Sequence, residues 1–175
     1  LTVNAYVAGE GPLDFSTFAV ADTELTAIGK SLMEATTRRS KIVGAFNSGP
    51  ARIIDQTAFY GNAAITSLEL PSVTNLAAQS FYDCSAVTNA VLNPNVRFIG
   101  ASAFAGPDLF ALSPSEFPEL EEIGGSLFYR NSGAASLSLV FSVVAPKLRR
   151  IGTGCFQARG GCPTLARFEA PLLEN

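Results

Sequence analysis

Several residue types on which enzyme sites depend are absent or scarce in this chain of 175 residues. It contains no histidine, no tryptophan, one methionine and three cysteines. Without histidine, the chain lacks the usual general base, the Ser-His and Cys-His nucleophile pairs and the commonest zinc ligand. We therefore predict a protein that is not an enzyme and that has no cofactor and no metal site.

Charged side chains are also scarce, at 15% of residues, against the ~25% that is usual in soluble domains. The net charge is −3 and the basic residues form no stripe, which argues against a nucleic-acid partner. The longest uncharged run, 131–146, has 16 residues and is shorter than the ~20 needed to cross a bilayer. We predict no membrane span in this chain.

A short pattern recurs along most of the sequence: a proline, an aliphatic residue two positions later, a second aliphatic three positions after that, and then a phenylalanine. Pro94, Val96, Ile99 and Phe104 form one copy. The second aliphatic position is occupied by Ile28, Ile54, Leu76, Ile99, Ile123 and Ile151, so successive copies are 22 to 28 residues apart. The large side chain five positions later is Met33, Phe59, Phe81, Phe104, Phe128 or Phe156. Periods of 20–50 residues indicate a stacked repeat array.

Each copy is preceded by a segment that is typical of a strand. The clearest segments are Ile65–Pro71, Leu165–Pro171, Val140–Pro146 and Val43–Gly49. Because proline cannot donate to a sheet ladder, we expect it to end each strand. The pattern predicts one short strand per repeat in a parallel sheet, and a Gly-x-x-x-Phe segment that forms a helical turn or an irregular turn. No single repeat buries enough apolar surface to fold alone, so the core must run through the stack.

The first 22 residues depart from this frame. Alternation over Leu1–Val7, a turn at Gly9–Pro12 and an apolar stretch over Phe15–Val20 predict strand, turn and strand. We interpret residues 1–22 as an irregular first repeat or a cap, and residues 23–175 as an array of about six units. The chain begins at Leu1 and ends within a copy, so we expect a fragment or a processed form.

These residues resemble the BspA-like leucine-rich repeats of bacterial and some protist surface proteins. The similarity is strongest over Phe98–Phe104, and Cys84 follows Phe81 at the family's spacing. The resemblance implies an α/β, right-handed leucine-rich-repeat solenoid, or horseshoe. It also implies a secreted or cell-surface, adhesin-like protein that binds other proteins. Met33 in place of phenylalanine and Asp55 in place of glycine depart from the family pattern.

Other sequence features carry little chemistry. Ser102 lies in an incomplete nucleophile-elbow pattern. Cys84 is expected to be a small apolar core residue, whereas Cys155 is expected to point outward, and a bond between Cys155 and Cys162 is left open. The acidic residues Glu116, Glu119, Glu121 and Glu122 lack calcium-loop spacing, and we interpret them as an exposed loop face.

The candidate for function is a surface. Strand residues that alternate with the inward apolar positions are expected to face outward on the concave sheet, where they offer contacts to a protein or a glycan. They are Ala45, Asn47, Ser67, Glu69, Asn89, Val91, Ser142, Val144, Arg167 and Glu169. For Asn89 and Val91 this orientation is expected if their strand is bulged. The loops 129–135 and 157–163 compete for the role.

The sequence favours a non-enzymatic interaction domain at the cell surface or outside the cell. Three alternatives remain open at this point. The array is also compatible with a structural spacer or stalk, with an intracellular scaffold that has no ligand of its own, or with an enzyme that relies on Asp, Glu, Ser and Arg.

Overall fold

A computed structural model describes residues 2–3, 11–16, 26–29, 42–107, 109, 111–129, 140–157 and 164–174. These residues form fourteen strands in chain order. The strands are β1 (Thr2–Val3), β2 (Gly11–Asp14), β3 (Ala27–Ile28), β4 (Ile42–Asn47), β5 (Ile53–Ile54), β6 (Ile65–Leu70), β7 (Asn75–Leu76), β8 (Asn89–Leu92), β9 (Phe98–Ile99), β10 (Ala111–Ser113), β11 (Glu122–Ile123), β12 (Val140–Val144), β13 (Arg150–Ile151) and β14 (Thr164–Glu169).

Along the chain the strands alternate between two sheet systems, and all the strand pairs within each system are parallel. The odd sheet has the order β1-β3-β5-β7-β9-β11-β13, and the even strands form β10-β8-β6-β4-β2 and the pair β12-β14. An isolated parallel bridge pairs Val144 of β12 with Glu116, which lies three residues beyond the end of β10. The chain is therefore a solenoid, as predicted, but each full coil contributes two strands where the sequence predicted one.

Proline stands at the corner between an even strand and the following odd strand. After β8, the N–H of Val96 donates to the carbonyl of Asn93 at 3.1 Å, which places Pro94 at the second position of a β-turn. Equivalent bonds close the turns around Pro118, Pro146 and Pro171. Proline fits there because its fixed φ matches the turn and its missing N–H leaves no ladder bond unmade. The predicted proline stop is confirmed.

The segment between each odd strand and its phenylalanine contains no helix in the described residues; it is a series of turns. Successive backbone N–H groups in this segment donate in turn to a carbonyl of their own coil and to a carbonyl of the next coil. Tyr82 donates to Gln79 at 3.2 Å, whereas Phe81 donates to Ala103 of the following coil at 3.0 Å. The prediction of a helical turn is wrong, because every second amide bonds to the next coil instead of within its own. The alternative prediction, an irregular turn, is correct.

The repeated apolar positions form one core along the stack. Ile28, Ile54, Leu76, Ile99 and Ile123 are buried, as are Phe59, Phe81, Phe104 and Phe128. The rings of Phe59 and Phe81 stack with centroids 5.1 Å apart, and those of Phe81 and Phe104 with centroids 5.9 Å apart. At the last copy, Ile151 and Phe156 are only partly buried. Met33 lies outside the described residues.

The amino-terminal prediction is partly wrong. Gly11 and Pro12 belong to β2, which pairs with β4, and do not form a turn. Proline is tolerated there because β2 is an edge strand, in which one row of N–H groups is not needed by a neighbour. The division at residue 22 stays a prediction.

Candidate functional site

The outward residues of the even strands form two rows that cross the coils, which we call the even-strand face. The backbone register aligns Ala45, Ser67, Asn89 and Ala111 in the first row, and Asn47, Glu69, Val91 and Ser113 in the second. The six predicted residues of β4, β6 and β8 are thus brought together, half-buried or exposed. Ala111 and Ser113 were missed because β10 is short and lacks the apolar frame of the other strands.

The two rows arise because buried and outward side chains alternate along β6 and β8. In β8 the side chains of Ala90 and Leu92 are buried, whereas Asn89 and Val91 face outward. This orientation needs no bulge, because β6 and β8 pair without a register shift. Register shifts lie elsewhere among the even strands, for example between β4 and β6, where the partner of Gly44 is Ile65 and that of Ala45 is Ser67.

The remaining four predicted residues lie on β12 and β14. Ser142 pairs with Arg167, and Val144 with Glu169. A shift between Phe141 and Ser142 accommodates the extra residue of β14. Because Val144 also pairs with Glu116, these residues continue the even system beyond β10.

Side chains on this face offer hydrogen-bonding groups and small apolar patches. The amide of Asn47 donates to Oε2 of Glu69 at 2.9 Å, and the guanidinium of Arg167 binds Glu169 at 2.7 Å. Val43 and Val91 are 38% and 40% exposed. At the edge, the backbone N–H of Ser16 bonds to Asp14 and, with the Ser16 side chain, lowers the pKa of that carboxyl.

The acidic cluster predicted from the sequence lies mainly on another side of the coils. Glu119, Glu121 and Glu122 each form an ion pair with a basic residue in an adjacent coil. The partners are Lys147 for Glu119, Arg97 for Glu121 and Arg150 for Glu122. Sequence reasoning missed these pairs because their partners are 24 to 28 residues away, one repeat length along the chain.

The two cysteines that the structure describes are both core residues. Cys84 is fully buried, and its thiol donates to the carbonyl of Phe59 at 3.1 Å. Cys155 is buried as well, so its predicted outward orientation is wrong: its side chain occupies the core beside the last phenylalanine copy. Burial raises the pKa of both thiols to about 12. Cys162 and most of the two competing loops lie outside the described residues.

Ser102 has a backbone role. It adopts φ 55° in the turn ladder, and its N–H donates to the carbonyl of Gly125 at 2.9 Å. In the part of the chain that the structure describes, no group of three or more Cys, Asp or Glu side chains is arranged to hold a metal ion.

Comparison with known proteins identifies the repeat. Models of the BspA type leucine-rich repeat region match residues 22–135 and 52–171, with six copies. Searches of curated proteins and of solved structures give no significant match. The family match covers more than half of the chain and agrees with the stacked parallel strands. The chain belongs to the family of BspA-type leucine-rich repeat proteins.

Proposed function

We propose that this array is a non-enzymatic interaction domain that binds a protein partner through its even-strand face. BspA-type leucine-rich repeats commonly mediate protein interactions. The observation that carries the proposal is the pair of register-aligned rows, in which outward side chains differ from coil to coil while the inward ones repeat. A surface that varies on a repeated scaffold is how solenoid proteins present a binding site.

The composition of the rows supports a broad protein contact. The first row consists of small side chains, so a partner can approach the sheet closely. The second row adds the Asn47–Glu69 hydrogen bond and the exposed Val91. Polar groups mixed with small apolar patches are typical of non-obligate protein interfaces.

We further propose that the domain works in an adhesin-like role at the cell surface or outside the cell. Proteins of this repeat family are often surface-associated. In the described ranges, no helix is long and apolar enough to cross a membrane. The charges of the face are few and partly paired, which favours recognition by shape over long-range attraction.

The test is a binding screen followed by matched charge reversals. The domain is immobilised and presented with a panel of purified extracellular-matrix and plasma proteins, and affinities are measured by biolayer interferometry. For a partner found in this way, the variant Glu69→Lys, Arg167→Glu, Glu169→Lys is expected to bind at least about tenfold more weakly, a loss of roughly 1.4 kcal/mol. Glu119→Lys reverses a charge on another side of the coils and is expected to leave affinity unchanged.

Each outcome decides between functions. If the charge reversals leave binding intact and replacement of the loops 129–135 and 157–163 abolishes it, the contact site belongs to the loops. If no protein of the panel binds, the spacer or stalk function is favoured and the adhesin-like proposal fails. A gene without an export signal would favour the intracellular scaffold.

A further inference from the structure

A groove with a volume of about 400 Å³ crosses the outer side of the odd sheet, away from the even-strand face. It spans the coils of β7, β9, β11 and β13. It is lined by Asn75, Leu76, Ala77, Phe98, Ile99, Gly100, Ala101, Glu122, Gly124, Gly125 and Gly152. The volume falls within the ~300–1,000 Å³ range of small-ligand sites.

The floor of the groove is low because the coils stack too closely there for side chains. A Cβ added to Gly124 would lie 2.2 Å from the backbone nitrogen of Ala101 in the preceding coil, and one added to Gly152 would lie 2.1 Å from that of Gly125. Glycine at these positions therefore leaves a depression. The side chains of the residues that precede the buried aliphatic positions line the groove beside this depression.

One wall of the groove is a row of three side chains in register, Asn75, Phe98 and Glu122. Neighbouring members are one coil apart, about 4.8 Å. The guanidinium of Arg97 lies 5.3 Å from the Phe98 ring centroid. Phe98 is half-buried and lines the groove, so part of its ring is exposed there.

Polar groups flank this ring on both sides. The guanidinium of Arg150 places both of its bonds to Glu122 on Oε2, at 3.2 and 2.6 Å, and no group among the described residues donates to Oε1. The side-chain amide of Asn75, which is half-buried, forms no hydrogen bond with the residues that the structure describes. An apolar ring thus stands between a carboxylate oxygen and an amide.

We propose that this groove binds a neutral oligosaccharide. The apolar C–H face of a sugar ring packs on Phe98, while Asn75 and Oε1 of Glu122 bond to hydroxyl groups on either side. The wall holds no net charge, because Glu122 is paired with Arg150 and Glu121 with Arg97. This balance matches an uncharged ligand. Recognition of a partner strand is disfavoured, because the N–H groups of Gly100, Gly124 and Gly152 already bond to the preceding coil.

The test begins with a printed array of neutral glycans and continues with maltotriose, cellotriose and tri-N-acetylchitotriose in solution, measured by calorimetry and ligand-observed NMR. At least one saccharide is expected to bind saturably. Phe98→Ala is expected to weaken that binding at least about tenfold. Ile53 occupies the same row outside the groove, so Ile53→Ala is the matched control and should change affinity less than about twofold.

A second variant guards against a loss of fold. Ala101→Phe fills the groove from an exposed position and removes nothing from the wall. It should also abolish binding, with circular dichroism like that of the wild type. The proposal is overturned if no neutral glycan binds, if both variants bind as the wild type does, or if a peptide library occupies the groove and saccharides do not. Because these variants avoid the even-strand face, the result is independent of the proposed protein contact.

Discussion

The residue two positions before each phenylalanine of the repeat has a left-handed backbone conformation, which the residue types at that position do not predict. Thr57, Gln79, Ser102 and Ser126 have φ between 53° and 58°, and Gly154, the equivalent in the last described copy, has φ 67°. Side chains rarely adopt this left-handed region, which costs roughly 1–2 kcal/mol for residues other than glycine. The turn ladder requires it because alternate amides must point toward the next coil.

Replacement of Ser102 by glycine is therefore expected to stabilise the protein. Relief of the left-handed conformation outweighs the ~0.5–1 kcal/mol entropic cost of glycine, so the free energy of unfolding should rise by up to about 1 kcal/mol. Urea unfolding measures it. Ala101→Gly, one residue earlier and without a positive φ, should lower stability. A destabilised Ser102→Gly variant would show that the backbone there is not strained.

The buried thiols predict a loss of stability at alkaline pH. Burial raises the pKa of Cys84 and Cys155 from 9.0 to about 12 in the folded chain. The unfolded chain therefore loses these protons first, and stability that is present below pH 9 falls as the pH rises toward 12. We expect the free energy of unfolding to fall more between pH 7.5 and pH 10.5 in the wild type than in a Cys84→Ala, Cys155→Ala variant. Equal pH slopes would contradict this account.

The phenylalanine rings of successive repeats stack along the core, and the ring in the middle of the stack is more buried than the ring of the last copy. Phe81 lies between Phe59 and Phe104 and is fully buried, whereas Phe156 occupies the equivalent position in the last copy and is half-buried. A buried phenylalanine in a continuous core has neighbours on both sides along the axis. Removal in the middle leaves a cavity that the stacked coils cannot close.

Phe81→Ala is accordingly expected to lower the free energy of unfolding by about 3–5 kcal/mol. Phe156→Ala is the matched control, and its loss should be at most about half as large because part of that ring remains in water. Thermal and urea unfolding give both values. Similar losses for the two variants would mean that the ladder is not continuous.

The core positions, the even strands and the proline corner could be predicted from the sequence, whereas the odd strands and the turn ladder could not. Proline, the two aliphatic positions and phenylalanine report directly on burial, so the strand–proline corner and the core were found. The odd strands were missed because a strand of two residues such as Phe98–Ile99 shows no alternation. The turn ladder was missed because its bonds join residues of different coils, as between Phe81 and Ala103.

The candidate surface follows the same division. Ser67 and Glu69 were placed on the outward rows because apolar neighbours fix the alternation of β6. Asn89 was expected there only if its strand were bulged, and its pairing with β6 shows no register shift. The groove beside Phe98 depends on how closely Gly124 approaches Ala101 in the preceding coil. No pattern within a single copy reports that distance.

For the whole molecule, the ladder bonds and shared core make the array one continuous scaffold with different surfaces. On the odd side, glutamates pair with basic residues of adjacent coils, as between Glu121 and Arg97. Exposed pairs of this kind contribute only about 0–1 kcal/mol each, so their main effect is to leave that side nearly neutral. The even-strand face differs from coil to coil, which is why we assign the protein contact to it.

The most direct test of this assignment is hydroxyl-radical footprinting of the domain with and without the partner found in the protein panel. Our account predicts that protection upon binding concentrates on the even-strand face, with Val91 and Val144 as reporters, while Phe98 in the groove keeps its reactivity. Protection confined to Phe98, or to the loops 129–135 and 157–163 with the face unchanged, would contradict it.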